Sequence, residues 1–84
     1  MKYTLTFEMS RDNKEELFVH GSPEGLTFFA NSLLKLVEDT KDGSFNDSHF
    51  FSNNWGGSEL TSELQDIDAI LIHHVKVFCW NHPE

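Results

Sequence analysis

The sequence predicts a small α+β domain of two layers, a mostly antiparallel sheet with one main helix packed on one face. Three observations predict it. Apolar and polar residues alternate from Tyr3 to Met9, which is the period of a strand. Between Leu26 and Val37 apolar residues recur at steps of three and four, which is the period of a helix. Ile67 to Phe78 is then the longest β-prone stretch of the chain. One helix with so broad an apolar face needs a sheet to cover it, and the element order reads β-β-α-β-β-β.

Each element has its own local signal. Tyr3, Leu5, Phe7 and Met9 alternate with Thr4, Thr6 and Glu8, so the first strand is expected to bury one face. Ser10 to Lys14, with Asp12-Asn13, carries turn chemistry, and Glu16 to His20 forms the return arm of a hairpin. Ser22 is placed to cap a helix through its side-chain oxygen. Pro23 fits the first helical position, where a missing N–H costs nothing, and Glu24 complements the positive end of the helix dipole. The helix is expected from about Pro23 to Glu38, with Leu26, Phe29, Ala30, Leu33 and Val37 toward the core.

Beyond Gly43 the pattern is less regular. His49-Phe50-Phe51 reads as a short strand, Asn53 to Gly57 as a turn and Ser58 to Leu64 as another strand. Gln65-Asp66 is a further turn. Ile67 to Phe78 is apolar on both parities, with Ile70 and Ile72 on one and Leu71, Val75 and Val77 on the other, which predicts a central or bulged strand. Trp80 to Glu84 is expected to fray. No linker, repeat or low-complexity segment divides residues 1–84, so they form one domain.

Composition narrows the function. Eighty-four residues make a lean core, built here from few but large side chains: eight Phe, two Trp and one Tyr. No apolar run approaches the roughly 18 residues of a membrane helix, and the N-terminus lacks the apolar core of a signal peptide. Cys79 is the sole cysteine, so no internal disulfide forms. These features predict the cytoplasm. Fourteen Asp and Glu against six Lys and Arg give a net charge of −8, which argues against nucleic acid or an anionic membrane as ligand. A basic protein would instead be attracted. Between Lys41 and Lys76 the carboxylates Asp42, Asp47, Glu59, Glu63, Asp66 and Asp68 have no Lys or Arg among them.

Chemistry-bearing residues form no recognised catalytic or metal-binding pattern. His73 and His74 are adjacent, so on a strand they point to opposite faces and cannot share an ion. Cys79 lies between Phe78 and Trp80, apolar surroundings that keep a thiol inert. Gly56-Gly57-Ser58 is too short for a phosphate loop. No cofactor, metal or enzymatic activity is therefore expected. Trp55, in a polar turn, is either an interface anchor or a lid folded onto the core edge. With Glu59, Glu63, Asp66 and Asp68 it defines the expected partner-binding surface. There Gly56-Gly57 would let a partner approach the backbone, and Glu59 and Glu63 would share the free face of a strand.

Between His20 and Leu64 stand Gly21-Ser22-Pro23-Glu24-Gly25-Leu26, the Leu33…Leu36 continuation, His49 in an aromatic strand, and Gly57-Ser58-Glu59-Leu60. In the order and spacing of these motifs the chain resembles the Imm32 family of bacterial immunity proteins. The resemblance covers about half the chain. It implies an α+β fold, a gene beside a toxin gene in a polymorphic-toxin system, and a non-enzymatic role in binding and neutralising that toxin domain. Many such toxins are nucleases with basic clefts, which suits an acidic inhibitor. Two other readings stay open: an acidic nucleic-acid mimic from a mobile element, and a self-associating accessory protein or homodimer.

Overall fold

The computed structural model describes residues 3–81. Five strands and one long helix follow in the order β1 (Leu5–Ser10), β2 (Leu17–Gly21), α1 (Pro23–Asp39), β3 (Ser44–Phe51), β4 (Ala69–Ile72) and β5 (His74–Asn81). The fold is α+β and every strand pairing is antiparallel. The strands form two sheets, one of order β2-β1-β4 and one pairing β3 with β5. No helix among the described residues is long and apolar enough to cross a membrane.

The hairpin and the helix start form as the sequence predicts. The Ser10 hydroxyl accepts from Asn13 N–H, and the Asn13 side chain accepts from Glu15 N–H, which closes the β1–β2 turn. Ser22 Oγ accepts from Gly25 N–H at 3.2 Å as the helix cap, and from Thr4 N–H at 3.1 Å, which ties the cap to β1. The far end is closed by Thr40, whose hydroxyl donates to the Leu36 carbonyl and whose N–H donates to that of Val37. Gly25 is required by close approach: a Cβ there would collide with the Thr4 carbonyl.

The core sits where α1 crosses both sheets. Leu5, Phe7, Phe50 and Leu60 are buried, with Tyr3, Phe28, Phe29, Ile72, Val75 and Val77 packed around them. Phe29 meets Phe7 and Phe50 edge to face, and Phe28 stacks on Tyr3. These contacts join helix, first sheet and second sheet.

Five expectations need correction. First, the helix turns a different face inward. Gly25 and Leu36 are its buried residues, with Phe28, Phe29, Ser32 and Leu33 half-buried, while Leu26, Ala30, Leu34 and Val37 are exposed. Phe28 and Phe29 both meet Phe50 of the second sheet, and Phe29 also meets Phe7 of the first. Second, β1 buries both faces: Thr6 and Glu8 are as inaccessible as Leu5 and Phe7, because the chain after Leu60 folds over their side. Third, Ser58 to Leu64 is not a strand. Its backbone groups go to separate partners, Leu60 N–H to Phe51 and Thr61 N–H to Leu5, which leaves one isolated bridge between Ser52 and Leu60. Fourth, the stretch after Ile67 is two strands that part at His73 and join different sheets. That break resolves the double parity. Ile70 and Ile72 face the core opposite Met9 and Phe7, and beyond the break Val75 and Val77 take over on the other parity. Fifth, β5 runs on through Trp80 to Asn81, so the expected fraying does not begin at Trp80; residues 82–84 lie outside the described residues.

Candidate protein-docking surface

The two-stranded sheet has one face on the core and one turned away from it. Register fixes which residues share the outer face: Phe45 lies opposite Trp80, Asp47 opposite Phe78, His49 opposite Lys76 and Phe51 opposite His74. Directly opposed residues of antiparallel strands point the same way, so all eight lie on one side. Phe50, Val75 and Val77, of the other parity, go to the core.

At one end of this face Phe45 stacks on Trp80 with ring centroids 4.7 Å apart, and Phe78 lies 6.2 Å from Trp80 and 6.5 Å from Phe45. Phe45 is 54% exposed and Trp80 61%. In the middle Lys76 Nζ sits 4.8 Å over the Phe78 ring and 3.5 Å from Asp47. At the other end His74 stacks on Phe51 at 4.2 Å, and His49 Nδ1 meets His74 Nε2 at 2.9 Å. That bond needs one ring to donate and the other to accept, so it cannot form when both imidazoles are protonated. His49 Nε2 also lies 3.6 Å from Asp47. The result is a continuous aromatic and imidazole surface in which the one carboxylate, Asp47, has cationic or protonatable neighbours.

The residues expected at the partner surface are distributed differently. Trp55 is 60% exposed, in a single 3₁₀ turn (Asn53–Trp55), and stacks on His73 with centroids 5.2 Å apart and planes 7° off parallel. It is therefore no lid on the core. His73 in turn is 2.7 Å from the Ser52 hydroxyl. Glu59 is half-buried and serves the fold: its carboxylate accepts from Phe51 N–H, Ser58 N–H and the Ser58 hydroxyl. Burial works to raise its pKa, but these hydrogen bonds outweigh it and hold the group below the usual carboxylate value. Tyr3 donates to the Glu59 carbonyl at 2.8 Å, and burial, then the Glu59 charge, pushes the Tyr3 phenol up. Glu63 and Asp68 are exposed. Asp66 is half-buried and bonds Asp68 N–H, within a turn against which Arg11 is laid through the Asp68 and Ala69 carbonyls. Glu59 and Glu63 do not share a strand face, because no strand forms there. The two glycines serve the turn in different ways: exposed Gly56 adopts a positive φ of 84°, and Gly57 packs so closely on Phe51 that a Cβ would strike its carbonyl.

Two groups were missed in the sequence. One is the His49–His74 pair, since only the β3–β5 register brings positions so far apart together. The other is Glu8, fully buried, whose carboxylate accepts from Gln65 N–H at 2.8 Å, Asp66 N–H at 3.0 Å and the Thr6 hydroxyl at 2.9 Å. His20 Nε2 lies 3.6 Å from the same carboxylate. Among the described residues no group of three or more His, Cys, Asp or Glu is placed to hold a metal ion. A groove of about 320 Å³ between α1 and β3 is lined by apolar residues such as Phe28, Leu36 and Phe50 together with polar ones such as Ser32, Lys35 and Asp39. The chain matches no protein-family model, no curated protein and no solved structure.

Proposed function

We propose that this chain is a protein-binding inhibitor whose partner docks on the outer face of β3 and β5. The observation that carries the reading is the exposed cluster of Phe45, Phe78 and Trp80, continuous with Lys76, His49, Phe51 and His74. Large aromatic side chains on rigid strands give wide contact at small entropic cost, and they are the residue types that dominate binding energy at protein interfaces. The partner we infer is a basic protein domain. A net charge of −8 draws such a domain in over the range of a Debye length, and the aromatic face then holds it. Exposed Glu63 and Asp68 add to this field.

The immunity role, implied by the resemblance described above, supplies the biological class. The partner would be a toxin domain, a nuclease being one that fits, neutralised in the cytoplasm by occupation rather than catalysis. The test is protection. The C-terminal domain of a toxin encoded beside this chain is expressed with and without it, and survival is scored. Protection by the parent, and its loss in Phe45→Ala/Phe78→Ala at unchanged protein level, support the reading. Death in the presence of the parent chain refutes it. Association should also slow as salt rises, with dissociation changing much less.

A further inference from the structure

The helix carries a second apolar face that is largely exposed among the described residues. Leu26, Ala30, Leu33 and Val37 follow at steps of four, three and four, the spacing of the seam by which one helix packs along another. Leu34 widens the seam. Val37 is 60% exposed and Leu34 62%. The seam is not isolated. Leu26 lies against Gly21 at the end of β2, whose Leu17 and Val19 are themselves exposed on the helix side of the sheet, opposite Met9 and Phe7.

We propose that this face binds a second copy of the chain, the two α1 helices running antiparallel about a twofold axis. Two features select that occupant. The spacing is palindromic: about an axis between Asn31 and Ser32, Leu26 meets the partner copy's Val37 and small Ala30 meets its Leu33, so large and small side chains interleave. The seam holds no charged residue, although the chain carries fourteen carboxylates; Glu24, Lys35, Glu38 and Asp39 lie on other faces of the helix. Two chains of net charge −8 repel least where they meet through an uncharged strip.

This inference does not depend on the toxin reading, and its test needs only the purified chain. Sedimentation equilibrium across micromolar to near-millimolar concentrations should show a mass rising to twice the 9.7 kDa of one chain. Val37→Glu and Leu26→Lys, each alone, should stay monomeric while keeping the parent's circular dichroism. Mixed together they should dimerise, because the antiparallel register sets the introduced carboxylate of one chain against the introduced ammonium of the other. A parent that remains monomeric at the highest concentration overturns the proposal, as does a Val37→Glu chain that dimerises like the parent. Failure of the mixture to recover dimer rejects the antiparallel register. Phe78→Ala, on the other face, should dimerise normally.

Discussion

Replacing Glu8 tests how the irregular segment after Leu60 is held. The carboxylate has no exposed surface and receives two backbone N–H groups, from Gln65 on Oε2 and Asp66 on Oε1, plus the Thr6 hydroxyl. Hydrogen bonds to a charged acceptor contribute about 1.5–3 kcal/mol each. In Glu8→Gln one terminal oxygen becomes an NH2 group, which cannot accept, so one backbone donor loses its partner and the cost should be about 1.5–3 kcal/mol. In Glu8→Ala both donors are stranded, and the loss should reach about 3–5 kcal/mol, a large part of the 4–13 kcal/mol or so expected for a domain of this length. Urea unfolding followed by tryptophan fluorescence measures the totals. Amide exchange locates them: Gln65 and Asp66 should lose protection in Glu8→Gln before β1 does. A Glu8→Ala protein within about 1 kcal/mol of the parent would refute the view that this carboxylate fastens the segment to the sheet.

Two further expectations follow from the same geometry. Glu59 has a folded pKa below its ordinary value near 4.5, so its contribution to stability is complete above that value and is lost as pH falls through the lower, folded one. Glu59→Gln should therefore be less stable than the parent at neutral pH, with the gap closing on acidification; a gap constant down to the acid transition would contradict the assignment. Gly25→Ala should destabilise by about 1–3 kcal/mol by forcing the helix off Thr4, although alanine is the better helix former by about 1 kcal/mol. Thr27→Ala, two residues on and exposed, should be neutral or slightly stabilising.

Much of the local structure was legible because it depends on local chemistry. Ser22-Pro23-Glu24 fixes the helix start, and Asp12-Asn13 marks the hairpin turn, whatever the rest of the chain does. What depends on distant partners was not legible. The helix has apolar residues over more than half its circumference, so periodicity finds the helix but cannot tell which part meets the sheet; Phe28 and Phe29 decide it by reaching Tyr3, Phe7 and Phe50. Ser58 to Leu64 alternates like a strand, yet Gly57 is pressed on Phe51 and Glu59 is spent on the Phe51 and Ser58 amides, which draws the segment into a loop. The candidate surface is hardest of all to read. Phe45, Asp47, His49 and Phe51 alternate plainly on β3, but they become a site only through a register with residues 74–80. For Trp55 the polar turn left two readings, an exposed anchor or a lid on the core, and only the fold decides between them: it is exposed and stacks on His73.

The measurement that bears most directly on the central claim is calorimetric titration of the chain with its proposed partner, a toxin domain encoded beside it, using the parent and Phe45→Ala/Phe78→Ala. Both residues are exposed and lie opposite the core, so the variant should melt close to the parent. The account predicts that binding weakens by roughly 2 kcal/mol or more, about thirtyfold in Kd. Parent-like affinity in the variant, at parent-like stability, would place the partner elsewhere and contradict the assignment of the β3–β5 face.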